Sequence, residues 1–475
     1  MLSLFSPLTH IKVGAKSLPD SSPMLDACAR NLIRRFDGVA PRYTSYPTAP
    51  NFKSEIGNGT YIDWLEQMPV ETNLSIYAHI PFCDTLCWFC ACRAQGTRIY
   101  PPIQRYLESM KTEIETVAKH LKGQPAIQMH WGGGSPTILE PDDFLALAAF
   151  FREKLAFAPD AEFAVEIDPR DMNADKLDAV AAAGVTRASL GVQDFSPEVQ
   201  HAINRVQSIE STRKVVDGLR ERGVKSLNID ALYGLPHQTL DRVQRTIDMV
   251  IDLAPDRVAL FGYAHVPWMA KRQKLIDASV LPGAEERFEQ AEAAADRLRA
   301  AGYVRIGLDH YARPEDDMAI SSAAGELRRN FQGYTVDAAD ALLGFGASAI
   351  GRPPQGYVQN VAATAAYQKA IAQNGLAIDR GIELTPQDRL RGYVIERLMC
   401  DLTFDGADLE ARFGDRAQEM VAIAEDLVQR LPSEMVTPRS NGFTITETGR
   451  PFVRNIATTF DAYLDDRAQR FSRTL

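Results

Sequence analysis

LSIYAHIPFCDTLCWFCAC, residues 74–92, puts a strand and a metal-binding loop end to end. The first seven residues are apolar or β-branched enough for a buried strand. Cys83, Cys87, Cys90 and Cys92 crowd the loop that follows. Further strand-like runs lie at 127–131 (IQMHW), 162–167 (EFAVEI), 186–192 (TRASLGV), 225–232 (KSLNIDAL) and 257–263 (RVALFGY). Helices are expected between them, near 102–121, 142–156, 173–184, 209–222 and 239–253. In the fourth of these, Val215, Val216 and Leu219 recur at helical spacing. Strand alternating with helix predicts βαβ units and a parallel sheet. Six such strands with right-handed crossovers curl into an incomplete (β/α)6 barrel of TIM type, a full eight-stranded barrel being the alternative. Functional residues belong at the carboxyl ends of the strands.

The flanking sequence divides the chain into three parts. Residues 1–40 read as a loose tail followed by a helix over 24–37. Residues 41–380 hold the α/β barrel and its extensions, beginning with the extended PRYTSYPTAP (41–50) and including a helix near 284–302 and a strand at 303–308. Residues 381–475 read as a small, mostly helical domain, with helices near 386–399, 406–412 and 415–430. A hairpin at 435–446 turns at Asn441-Gly442. That order resembles a winged helix, but acidic residues are as frequent there as Arg, which favours a packing or lid domain. The glycines of LGFGASAIG (343–351) lack dinucleotide-fingerprint spacing and read as pocket wall.

Of the 475 residues, 45% are hydrophobic and 24% charged, with a net charge of −10. Nucleic acid and anionic membranes are therefore not expected partners. An anionic substrate needs only a local basic pocket. No apolar run is long enough to span a bilayer, and the first residues do not read as a secretory signal. Four of the six cysteines fall within ten positions, which suits a metal site in a reducing compartment, the cytoplasm, better than a disulfide scaffold.

Cys83, Cys87 and Cys90 have C-x3-C-x2-C spacing. Three thiolates on one loop can hold a four-iron cluster and leave one iron open to a small molecule. Structural zinc is the alternative, with Cys92 as fourth ligand, although zinc usually takes two separated pairs. A four-cysteine electron-transfer cluster is another, although ferredoxin spacing differs.

The pattern resembles the radical S-adenosylmethionine (SAM) superfamily. Within it, RYTSYPT (42–48), YAHIPFC (77–83), CWFCAC (87–92), HWGGGSPT (130–137), EIDPR (166–170), GVQDF (191–195), NIDALYGLP (228–236), YAHVP (263–267), DHYARP (309–314), NFQGYT (330–335) and FSRTL (471–475) resemble the oxygen-independent coproporphyrinogen III oxidase family. The resemblance implies a 4Fe–4S cluster on Cys83, Cys87 and Cys90 and two SAM molecules per turnover. It also implies oxidative decarboxylation of the ring A and B propionates of coproporphyrinogen III to vinyls, giving protoporphyrinogen IX. The implied electron donor is flavodoxin or ferredoxin. A related heme chaperone typically lacks the cysteine represented by Cys92.

The same resemblance assigns SAM contacts to Tyr77, Phe89, Gly133, Gly134, Ser135, Glu166, Gln193, Arg205, Asp230, Ala264 and Ile350. Ser135 stands where the family usually has Thr and keeps the hydroxyl. Taken singly, most of these would read as core, cap or surface residues. A substrate with four propionates calls for fixed cations, so Arg42, His310, Arg313, Arg328 and Arg329 are the candidate substrate ligands, against surface salt bridging.

Overall fold

All six runs expected as strands are strands, and each stacks on the next in parallel. They are β1 (Leu74–Ile80), β2 (Ala126–Gly133), β3 (Phe157–Ile167), β4 (Arg187–Gln193), β5 (Ser226–Tyr233) and β6 (Arg257–Gly262). This computed structural model describes residues 25–464 and 471–474, so the expected tail lies outside the described residues. The crossover helices Pro101–Ala118, Pro141–Lys154, Ala174–Ala182, Ile209–Glu221 and Leu240–Asp252 fall within a few residues of the expected spans.

Alternation along each strand decides what faces the helices. In β1, Leu74, Ile76, Ala78 and Ile80 are fully buried in the main core, while Ser75, Tyr77 and His79 point to the opposite side. In β2, Trp131 takes the helix side, its ring 4.8 Å from Phe144 and 5.0 Å from Phe163. Burying such rings on one face drives sheet and helices together.

The barrel interior is polar rather than packed with branched aliphatics. At the amino ends, Gln128 donates to Glu162 at 2.9 Å, Arg187 is ion-paired with Glu162, and Arg257 meets Asp316 at 2.7 Å. Each such pair satisfies charges that would otherwise be stranded, and losing one partner of a buried pair costs about 3–5 kcal/mol. At the carboxyl ends the interior carries Tyr77, His130, Glu166 and Asp230.

Three further strands extend these six, the first of them within the strand expected at 303–308. β7 (Val304–Ile306) and β8 (His310–Ala312) add antiparallel beyond β6, and β9 (Ala341–Phe345) lies parallel to β1. The sheet order is β9-β1-β2-β3-β4-β5-β6-β8-β7, and its two edge strands do not pair, so the barrel is open. The glycine-rich segment 343–351 is thus largely sheet: Gly344 lies against the Ile350 carbonyl so closely that a Cβ would sit 2.7 Å from it.

In the C-terminal part, Pro386–Asp401 starts with a capping box. Thr385 Oγ1 accepts from the Asp388 amide at 3.1 Å, and Asp388 Oδ2 accepts from the Thr385 amide at 2.9 Å. Helices Gly406–Phe413 and Ala417–Arg430 and a hairpin (Val436–Arg439, Gly442–Ile445) follow. An unexpected strand, Thr403–Asp405, pairs with the hairpin and completes the helix–strand–helix–helix–hairpin order of a winged helix. This part shares its core with the other end of the chain: Leu32, Ile33, Tyr43 and Tyr46 pack with Leu398 and Phe452. Thr474 donates its amide to the Gly38 carbonyl at 2.8 Å, which joins the C-terminal segment to the stretch after the first helix. No helix among the described residues is long and apolar enough to cross a membrane.

Candidate active site

Phe82–Cys83 pairs with Gln95–Gly96, so the loop between them leaves the mouth of the barrel and returns to it. Cys87 is buried, Cys83 and Cys90 are half-buried, and Cys92 is exposed. Four contacts fix the loop. Trp88 donates its amide to the Ile203 carbonyl at 2.9 Å, and Asn204 donates to the Leu86 carbonyl at 2.9 Å. Gln273 donates to the Phe89 carbonyl at 2.7 Å, and Arg272 donates to the Cys92 carbonyl at 2.9 Å.

The sulfur of Cys87 receives two guanidinium hydrogen bonds, from Arg205 at 3.3 Å and Arg170 at 3.5 Å. Asp168 holds both cations, at 3.1 and 2.6 Å. Donors aimed at a sulfur suit a thiolate ligand. Among the described residues no three His, Cys, Asp or Glu converge to hold a single ion. The thiolates of a four-iron cluster bind separate irons and need no common point. Three thiols on one tethered loop, one already supplied with cationic donors, therefore fit the 4Fe–4S group.

The glycine trio follows β2, and each glycine is forced by a different neighbour. A Cβ on Gly132 would lie 2.7 Å from the Glu166 carboxylate, one on Gly133 would lie 2.5 Å from the His79 ring, and one on Gly134 would collide with the Phe82 carbonyl. Gly133 also has φ +112°, which side chains avoid. The amides of this stretch are engaged within the protein. Gly133 N donates to Glu166 at 3.0 Å, Gly134 N to the Ile80 carbonyl at 2.9 Å, and Ser135 N to the Phe82 carbonyl at 2.8 Å. The trio thus ties β2 to the root of the cysteine loop.

The inward side chains form a connected network. The His79 Nε2 proton goes to the Arg93 carbonyl at 3.0 Å, so Nδ1 accepts from the Tyr77 hydroxyl at 3.0 Å. Burial pushes the His79 pKa down, consistent with a neutral ring. His130 Nε2 donates to Glu166 at 3.4 Å. Burial works to raise the Glu166 carboxyl, but His130 and the Gly133 amide outweigh it and hold the group below the ordinary range. Asp230 is pushed the other way, to about 6, by burial and by the Glu166 charge. Opposed shifts on two carboxyls in one cleft are an arrangement found at functional sites.

The remaining expected contacts gather around this mouth. Gln193 adopts φ 73° at the end of β4, and it and Arg205 both pack over Gly191. Gln273 joins the Phe89 and Ala264 carbonyls, donating to the second at 3.0 Å. Phe89 and Trp88 pack against a separate apolar cluster that includes Ile203, Leu235 and Tyr263. Ile350 lies against Gly344, which pairs with Tyr77.

The substrate candidates divide. Arg42 and Arg329 line one cavity of about 250 Å³ that also includes Tyr263 and Ala264. His310 is buried opposite Ala259, its Nδ1 bonded to Asp309 at 2.8 Å. Arg313, by contrast, stacks 4.9 Å over Tyr303 and donates its amide to the Asp256 carbonyl, at the amino end of β6. Arg328 is exposed, 3.6 Å from Glu396, and lines a cavity beside the amino ends of β1 and β9. Neither reaches the mouth. Sequence reasoning had assigned no role to His79, His130, Asp168, Arg170 or Gln273. The first four stand inside quoted motifs, but nothing local says which partner each meets.

Residues 77–250 match the model of the radical SAM superfamily. The chain is 48% identical over 429 residues to the oxygen-independent coproporphyrinogen III oxidase of Cereibacter sphaeroides, covering 90% of this chain and 95% of the relative. The chain belongs to the oxygen-independent coproporphyrinogen III oxidase family. The relative of that name from Bradyrhizobium diazoefficiens is 46% identical, covering 92% of this chain and 97% of its own. Among solved structures, the coproporphyrinogen III oxidase of Escherichia coli, described as a radical SAM enzyme, superposes with a TM-score of 0.85 at 38% identity. It covers 89% of this chain and 98% of its own. As a member of this family, the chain is a radical SAM enzyme.

Proposed function

We propose that this chain decarboxylates the ring A and B propionates of coproporphyrinogen III to vinyls under anaerobic conditions, yielding protoporphyrinogen IX for heme synthesis. The observation that carries the reading is the tethered loop of Cys83, Cys87 and Cys90 at the polar carboxyl end of the barrel, with two guanidiniums on the sulfur of Cys87. When bound, the cluster and SAM supply a 5′-deoxyadenosyl radical able to take a hydrogen from a propionate β-carbon. Loss of carbon dioxide, with one further electron passed to an external one-electron acceptor, would then give the vinyl group.

Cys83, Cys87 and Cys90 hold the cluster in this reading. Tyr77 and Gly133 meet the first SAM and Gly134, Ser135, Gln193, Arg205 and Asp230 a second, one SAM being consumed per propionate, while Phe89, Glu166, Ala264 and Ile350 complete the SAM contacts. Glu166, kept ionised, suits an ammonium or ribose hydroxyls. Phe89 and Trp88, packed into their apolar cluster, keep water from the radical. Flavodoxin or ferredoxin supplies the electron, the cytoplasm is the compartment, and the 381–475 unit covers the cavity from outside.

The test is anaerobic incubation with coproporphyrinogen III, SAM and reductant. Protoporphyrinogen IX, with methionine and 5′-deoxyadenosine, is expected. A cluster-loaded protein that binds a tetrapyrrole and releases no carbon dioxide would instead be a chaperone.

A further inference from the structure

Arg42, Arg287, Arg329 and Arg454 come from four separate segments and line one cavity of about 250 Å³. Among the described residues, none of them has a carboxylate partner. Arg42 donates only to the Gly262 carbonyl, at 3.2 Å. Arg329 donates to the carbonyls of Tyr43 and Arg42, at 3.2 and 3.1 Å, and its Nη1 is buried without a partner. Arg454, 6% exposed, spends its guanidinium on Ser472 and on the backbone carbonyls of Ala40, Pro41 and Arg473. Arg287 lies over the Tyr233 ring, with its Nε buried and unpaired.

The acids nearby are already committed. Arg305 takes Glu292 at 3.2 Å and Arg473 takes Asp37, while Asp309, which lines the cavity and is bonded to His310 at 2.8 Å, offsets only part of the arginine charge. Carbonyl dipoles orient a guanidinium without cancelling its charge. The cavity therefore holds an uncompensated positive charge in a chain whose net charge is −10. Burial first, and then the neighbouring Arg42 charge, pushes Arg454 down to about 9. An anionic ligand would remove it.

We infer that this arginine cavity binds the carboxylates of the tetrapyrrole substrate, and specifically the two propionates that the reaction leaves intact. The inference rests on the proposed function. Three arguments support it. Guanidiniums pair with carboxylates bidentately, and four of them suit two carboxylates. The cavity is smaller than the roughly 300–1,000 Å³ that encloses a drug-sized ligand. It therefore takes an edge of the macrocycle, and it shares Ala264 with the mouth where the other edge would react. Finally, a carboxylate gripped by buried cations is a poor one to lose as carbon dioxide, because its departure strands those cations.

Binding of coproporphyrin III and protoporphyrin IX to the cluster-loaded protein tests this by fluorescence. Both carry the retained propionates, and protoporphyrin IX carries no others. Arg287→Gln and Arg329→Gln are each expected to weaken both ligands about tenfold or more. Undiminished protoporphyrin IX binding in both variants, with coproporphyrin III weakened, would place the reacting propionates there instead and overturn the inference. Unchanged binding of both ligands would overturn it outright. Iron content and melting temperature report folding, and Arg42→Gln, at an exposed position, carries the same expectation should the buried variants misfold. A wild-type protein that binds both porphyrins but forms no protoporphyrinogen would defeat the proposed function and leave this result readable.

Discussion

The guanidinium of Arg205 donates a hydrogen bond to the sulfur of Cys87 at 3.3 Å. Arg170 donates to the same sulfur, and Asp168 clamps the two arginines together. Arg205 is thus engaged by a cysteine and a carboxylate in the protein itself, beyond its expected contact with SAM. Hydrogen bonds to a cluster sulfur stabilise the reduced, more negative state and raise the potential. Arg170→Met is expected to lower the cluster's midpoint potential in an EPR-monitored titration while iron content stays at the wild-type level. An unchanged potential would make Arg170 a structural tether only.

Cys92 is exposed and follows the three-cysteine pattern by two residues. Cys92→Ser is expected to keep iron and sulfide, whereas serine at Cys83, Cys87 or Cys90 removes them. Elemental analysis and the ultraviolet–visible spectrum of anaerobically prepared protein decide this. Loss of the cluster from Cys92→Ser would indicate four-thiolate ligation.

Gly133 cannot carry a side chain without moving His79, whose ring would lie 2.5 Å from the new Cβ. Its φ of +112° adds backbone strain. Gly133→Ala is expected to cost about 1–3 kcal/mol or more in stability and to disturb the Tyr77–His79 pair. A melting curve checks the first effect and the affinity for SAM the second.

Glu113 sits buried behind β9, accepting from the Tyr367 hydroxyl and the Asn360 amide at 2.6 Å each and from the Gly346 amide at 2.8 Å. Burial pushes its carboxyl up to about 7 against the pull of those donors. A folded-state value above the unfolded value of about 4.3 means that the native state binds the proton more tightly. Its contribution is full below about pH 4.3 and is lost as pH rises toward 7. Relative to Glu113→Gln, the wild type should therefore lose about 2–3 kcal/mol between pH 4.5 and 8, measured by denaturant unfolding. Parallel pH profiles would refute the assignment.

Much of the fold was legible because strands and helices are written in neighbouring residues. The alternation of Gln128, Met129, His130 and Trp131 already separates an inward polar face from an outward apolar one. The same alternation could not show that Glu162, Arg187 and Gln128 meet as a polar plug. Thr403–Asp405 was missed because three residues between helices carry too short a pattern to register as a strand.

The sequence by itself determined the α/β alternation, the cysteine loop at a strand end, the C-terminal helices and the family. Each rests on residues close together along the chain, where steric period and turn chemistry act locally. Only the tertiary structure decided that β9 lies beside β1, that Arg313 stands at the far end of the barrel from the cysteines, and that Arg42, Arg287, Arg329 and Arg454 share a cavity. Those relationships join segments hundreds of residues apart. They follow from the path of the whole chain as it buries its apolar faces, and no local pattern encodes that path.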